Sequence, residues 1–112
     1  MVTEEDKKFL GQFQSYQQQL QAILIQKENL KLQMLETERA LEELGASKQK
    51  EAYKITGPIM IKKSKKELKT ELKGRKDNFD LRVKTLERAE ERITGKLKEM
   101  EPKLRKMLEK QG

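Results

Sequence analysis

Residues 47–64 read SKQKEAYKITGPIMIKKS, and within them the apolar side chains fall into a period of two. Tyr53, Ile55, Ile59 and Ile61 alternate with Lys54, Thr56, Met60 and Lys62, and Gly57-Pro58 interrupts the alternation at its centre. β-Branched residues on either side of a Gly-Pro pair predict two short strands joined by a turn. The four odd-numbered side chains share one face only if the loop holds an odd number of residues, such as Thr56 to Pro58. A type I′ turn on Gly57-Pro58 is excluded, because proline cannot take a positive φ. A lone hairpin of this length is marginal in water. It therefore needs other strands, and the hairpin is read as an assembly surface.

On both sides of this segment the period is 3.5. Upstream, Phe9, Phe13, Tyr16, Leu20, Ile23, Leu30, Met34, Leu41 and Leu44 follow a 4-3 rhythm that also passes through Lys27 and Thr37, so nine of eleven seam positions are apolar. Downstream, Phe79, Val83, Leu86, Ile93, Leu97, Met100, Leu104 and Met107 repeat the pattern, broken only at Glu90, with Leu68 and Leu72 joining after a small slip of phase. These are coiled-coil seams. Thr3 before Glu4, Glu5 and Asp6 forms an N-cap with acids on the positive end of the helix dipole, and Gly45 forms a stop. Ser64-Lys65-Lys66-Glu67 matches the S-x-x-E capping box. The expected organisation is a single domain over residues 1–112: helix one at 4–45, a linker and hairpin at 46–63, and helix two at 65–110. Pro102 should kink or fray the second helix, since it has no N–H and clashes with the carbonyl of Lys98. Lys27 and Glu90, polar residues within apolar seams, are read as structural, setting register.

The fold class is thus mostly α: a long antiparallel two-helix coiled coil with a β-hairpin between the helices. Composition points the same way. Of 112 residues, 34% are hydrophobic and 40% charged, with no Trp, two Tyr and three Phe. A compact domain of this size must bury roughly 60–70% of its unfolded surface, which so polar a chain could hardly do as a globule. Residues 1–47 carry 5 basic and 8 acidic groups (net −3) and residues 48–112 carry 21 and 11 (net +10), so antiparallel pairing brings opposite potentials together. Each helix of about 40 residues extends ~60 Å at about 1.5 Å per residue, which leaves the apolar strands uncovered by their own chain. There is no Cys and no His, which removes disulfides, thiolate metal sites and the commonest acid–base group. The longest aliphatic run, Ala22 to Ile25, is far short of a membrane span, and the N-terminus lacks the form of a signal peptide. A non-enzymatic, cytoplasmic subunit without cofactor or metal is expected.

The hairpin and its flanks, AYKITGPIMIKKSKKELKTELKGR, together with GQFQSYQQQLQAILIQKENLKLQ of helix one, resemble the β-class subunit of prefoldin, from about Leu10 to Leu108. The specific part is Tyr53-x-x-x-Gly57-Pro58, the following Lys62 or Lys63, the Glu71 to Arg75 stretch, and one hairpin between two long helices. The resemblance implies a hexamer of two α-type and four β-type subunits whose strands form a β-barrel platform. It further implies that unfolded polypeptides are held at the coiled-coil tips and passed to a group II chaperonin without ATP.

In an antiparallel hairpin Phe9 lies opposite residues near 105, so both chain ends form one tip. Phe9, Leu10, Phe13, Met100, Leu104, Met107 and Leu108 are the candidate client-binding residues. For Phe9, Phe13, Leu104 and Met107 the favoured reading is that they close the seam, whereas Leu10 and Leu108 lie beside it. Methionine suits a surface that repacks around many partners. Lys103, Arg105, Lys106 and Lys110 form a basic tail suited to an acidic surface on a chaperonin. Tyr53, Ile55, Gly57, Pro58, Ile59 and Ile61 form the assembly hairpin. The Gln cluster from Gln12 to Gln21 is read as solvated helix surface. Lys62-Lys63-Ser64-Lys65-Lys66, with a net charge of +7, raises nucleic-acid binding as an alternative, and a passive scaffold is a third reading. Few aromatics are available to stack on bases, and lysines beside a strand edge also discourage unwanted pairing.

Overall fold

The computed structural model describes residues 2–111. Four elements follow in order: helix α1 (Glu4–Ala46), strand β1 (Glu51–Thr56), strand β2 (Ile59–Ser64) and helix α2 (Lys65–Gln111). The change of apolar period from 3.5 to 2 and back is thus realised as α-β-β-α.

Thr3 starts α1. The Asp6 N–H donates to Thr3 Oγ1 at 3.0 Å, and the Thr3 N–H donates to Asp6 Oδ2 at 3.3 Å, so hydroxyl and carboxylate reciprocally satisfy two N–H groups at the helix start. At its other end α1 runs one residue beyond the expected stop at Gly45, and the Ser47 N–H still reaches the Glu43 carbonyl at 3.1 Å. Its last turn contains no basic residue. Lys65 supplies the missing cation: its Nζ donates to the carbonyls of Ser47 at 2.7 Å and Gly45 at 3.4 Å, meeting the negative end of the α1 dipole.

The capping serine fixes the start of α2, with the Glu67 N–H donating to Ser64 Oγ at 3.2 Å. Pro102, where a kink or fraying is expected, lies inside α2, and the helix continues past it to Gln111 without ending there. Proline withdraws one bond, that to the carbonyl of Lys98. Both residues are exposed, so water can satisfy that carbonyl.

The strands pair antiparallel with Thr56 opposite Ile59 and Glu51 opposite Ser64. The loop therefore contains two residues, Gly57 and Pro58, and not an odd number. Gly57 adopts a φ of 57° and the proline ring enforces a negative φ at the next position, the combination found in a type II′ turn, whose twist matches that of the flanking strands. An even loop divides the apolar residues between two faces. Tyr53, Ile55, Met60 and Lys62 share one face with Glu51, and Ala52, Lys54, Ile59, Ile61 and Lys63 share the other with Thr56. The single face of Tyr53, Ile55, Ile59 and Ile61 that an odd loop would have produced is absent.

By its contacts the chain forms two compact units, one made of residues up to Glu28 with those from Lys84 onward, the other of Asn29–Val83. In the first, Phe9, Ile93 and Met107 are buried, while Phe13, Tyr16, Leu20, Ile23, Leu86, Leu97, Met100 and Leu104 are half-buried. In the second, Leu30, Leu68, Val83 and Thr37 are buried, and Met34, Leu41, Leu44, Leu72 and Phe79 are half-buried. Thr37 tolerates burial because its hydroxyl donates to the Gln33 carbonyl at 2.8 Å, one turn back. All eleven seam positions of α1 are buried or half-buried, as an interhelical seam requires. Among the described residues, no helix is long and apolar enough to cross a membrane.

Candidate functional site

The hairpin presents its apolar side chains to solvent on both faces. Tyr53, Ile55 and Met60 are 62%, 73% and 64% exposed on one face, and Ile59 and Ile61 are exposed on the other. Ile55 pairs directly with Met60 across the ladder, which makes a contiguous apolar patch. On the same face Lys62 Nζ lies 2.7 Å from Glu51 Oε2 and ties the two strands to each other.

The other face is partly covered by helices at its base. Ala52 and Lys54 are half-buried, and Ala40, Leu44, Ala52, Tyr53, Leu68 and Leu72 contribute to a groove of about 390 Å³ at that junction. Glu71 of α2 receives Lys54 of β1 on Oε1 and Lys63 of β2 on Oε2, the latter at 3.1 Å. Hydrogen bonds from Lys54 and then Lys63 hold the Glu71 carboxyl below the ordinary carboxylate range. The sequence reading included Glu71 in a family-like stretch without assigning it this role.

The seven candidates at the chain ends do not present equally. Phe9 and Met107 are only 9% and 8% exposed and close the seam; Leu10, Phe13, Met100 and Leu104 are half-buried; Leu108 is 60% exposed. Lys103 lies over the Phe9 ring, its Nζ 4.8 Å from the centroid, a cation–π arrangement that joins the first turns of α1 to the last turns of α2. Arg105, Lys106 and Lys110 are exposed. Val2, also exposed, was not singled out from the sequence, because a lone valine before an N-cap carries no periodic signal.

Within the same unit, Lys27 Nζ reaches Glu90 Oε2 at 2.6 Å. The two polar interruptions of the seams therefore face each other, and the hydrogen bond to Glu90 raises the Lys27 pKa against the opposing effect of burial. Exposed apolar residues also occur away from the hairpin and the chain ends: Leu24, Ile25, Leu32 and Leu35 on α1, and Leu81 on α2. These positions fall outside the 4-3 rhythm, which is why the seam reading passed over them.

The basic run at residues 62–66 is largely engaged with the chain itself. Lys62 pairs with Glu51, Lys63 with Glu71, and Lys65 with the carbonyls at the end of α1. A surface for a polyanion keeps its cations available, so this arrangement weakens the nucleic-acid reading.

The family model described as Prefoldin subunit matches residues 7–111. Among curated relatives, the prefoldin subunit beta of Archaeoglobus fulgidus is 36% identical over 104 residues, covering 92% of this chain and 90% of the relative. That of Methanothrix thermoacetophila is 41% identical over 100 residues, covering 88% and 83%. The crystal structure of the prefoldin beta subunit from Thermococcus strain KS-1 superposes with a TM-score of 0.83 at 32% identity, covering 96% of each chain.

Proposed function

Because this chain belongs to the prefoldin subunit family, we propose that it is the β-type subunit of a cytoplasmic, ATP-independent holding chaperone. In this reading it joins α-type partners and further β-type copies in an α2β4 hexamer, binds unfolded polypeptides through its chain-terminal segments, and delivers them to a group II chaperonin. The family is chaperone-type and non-catalytic, and its members assemble with other prefoldin subunits.

One observation carries the reading: a two-stranded sheet whose large apolar side chains are exposed on both faces and whose edges are open. Isolated two-stranded sheets are marginal, and open edges invite pairing. Strands from neighbouring subunits satisfy both needs at once. Client binding draws support from Leu108, exposed about one turn beyond half-buried Leu104 and about two turns beyond half-buried Met100 on α2, since exposed apolar groups on a surface that includes adaptable methionine suit unspecific capture. The exposed Arg105, Lys106 and Lys110 supply the charge for an acidic chaperonin surface.

The test mixes the purified chain with an α-type prefoldin subunit, measures the mass of the complex, and follows the light scattering of a chemically unfolded client diluted into it. A six-subunit mass and suppressed scattering are expected, with suppression weakened by Leu10→Ser and Leu108→Ser together while the mass is unchanged. A persistent monomer overturns the assembly reading. Full suppression by the double variant overturns the assignment of the client surface, and steeply salt-dependent binding to nucleic acid without suppression favours the alternative.

A further inference from the structure

The charged residues of the hairpin divide between its faces with different effects. Glu51 and Lys62 lie on the Tyr53 face and bond only strand to strand. Lys54 and Lys63 lie on the opposite face as diagonal neighbours, since Lys54 is opposite Ile61 and Lys63 is two residues further along β2. Both converge on Glu71, each on its own carboxylate oxygen. A single side chain in the second turn of α2 thus holds both strands, and because the two oxygens take different strands, neither contact substitutes for the other.

This contact bears on how the hairpin is presented. Two strands without a third have little to hold them at a fixed angle to the helix that follows, and ordering a mobile segment during association costs affinity. A tether that orders the segment beforehand reduces that cost.

We propose that Glu71 is a positioning residue for subunit association: by clamping Lys54 and Lys63 it seats one face of the hairpin toward α2 and leaves the Tyr53, Ile55 and Met60 face as the surface that packs on the strands of another prefoldin subunit. The proposal rests on the assembly reading above and adds to it which face is offered, what holds it there, and a dependence on pH.

The sign of that dependence follows from the carboxyl. Glu71 is held below the ordinary carboxylate range by its bonds to Lys54 and Lys63, so the clamp is complete above that range and is lost as pH falls through the lowered value. The other charged groups at this junction are Lys66 and Glu67, which line the small groove beside Lys63 and Glu71, and Glu43 of α1, which lines the groove beside Lys54. The contribution of Glu71 is separated from theirs by substituting it alone.

The full-length chain and its Glu71→Gln variant are each titrated with an α-type prefoldin subunit by sedimentation velocity at neutral and acid pH, and the hairpin amides of the unmixed chains are followed by hydrogen exchange. The expected result at neutral pH is a roughly tenfold or greater loss of association affinity in Glu71→Gln. Hairpin exchange should be faster, the seam amides of α2 unchanged, and the loss of affinity on acidification shallower than in the parent. Glu67→Gln, one turn away in the same groove, should leave association unchanged. Association of Glu71→Gln with parental affinity, or hairpin exchange at the parental rate, overturns the proposal while leaving the assembly reading intact. Failure of the parent chain to associate overturns both.

Discussion

At the scale of single residues, the informative positions are those that break the apolar pattern. Lys27 and Glu90 interrupt two seams, and their ammonium and carboxylate meet at 2.6 Å. Such a pair is best understood through what its absence leaves behind, because removing one partner strands the other charge in a half-buried site. The Lys27 pKa lies above its ordinary value, chiefly through the bond to Glu90, so its contribution is complete below that ordinary value and is lost as pH rises through the higher value in the fold. Substituting Lys27→Arg keeps the charge where lysine loses it. The variant should therefore show a smaller fall of Tm than the parent as pH rises beyond 10.5, as followed by circular dichroism; an identical alkaline fall would exclude the pair as its source. Both residues were legible in the sequence as polar seam positions with a structural role. Their pairing with each other was not, because position in a heptad determines which side faces the partner helix and not which residue lies across from it.

At the scale of elements, capping chemistry and turn chemistry account for where each begins and ends. Thr3 and Ser64 start the helices with side-chain oxygens at hydrogen-bond distance from the first free N–H groups, and both starts were readable from local spacing. Pro102, expected to kink or fray the second helix, lies within a helix that continues to Gln111. Its helix continues because the loss amounts to one carbonyl, on an exposed residue, rather than a disrupted seam. Pro102→Ala should restore that bond and raise the stability of the chain by about 1–3 kcal/mol in urea unfolding; a destabilised variant would show that the proline is needed for the local geometry. The loop was harder to read than either helix. Alternation of Tyr53, Ile55, Ile59 and Ile61 favoured an odd loop, yet a glycine at φ 57° followed by proline satisfies a two-residue turn. Turn geometry outweighed the gathering of apolar side chains, since in water neither distribution buries them within one chain.

At the scale of the molecule, apolar surface that the chain cannot cover by itself becomes surface for partners. Ile55 is 73% exposed, the largest value among the exposed hydrophobic residues of the hairpin. Ile55→Lys should cost the isolated chain almost nothing, within about 0.5 kcal/mol for an exposed substitution, while abolishing association with an α-type partner. Far-UV circular dichroism and sedimentation velocity read these two quantities separately. Loss of helicity in the isolated variant would instead assign Ile55 to the fold of the single chain. The same contrast separates the chain-end residues. Phe9 and Met107 belong to the seam and Leu108 to the solvent, a distinction that heptad spacing anticipated for Leu108 but left open for Phe9 and Met107.

The sequence by itself determined the kind and order of the elements, because period, capping residues and turn residues act over a few positions, where backbone geometry follows directly from side-chain chemistry. It also determined that the hairpin would lack internal cover, since apolar residues are too few to build a core around it. Only the tertiary structure decided that the hairpin has two apolar faces and that Lys27 faces Glu90. It also decided that Lys65 caps the end of α1 and that Glu71 gathers one lysine from each strand. Those contacts join residues from 8 to 63 positions apart, or turn on the parity of one short loop. They depend on how separate elements meet in space, which local preferences constrain only weakly.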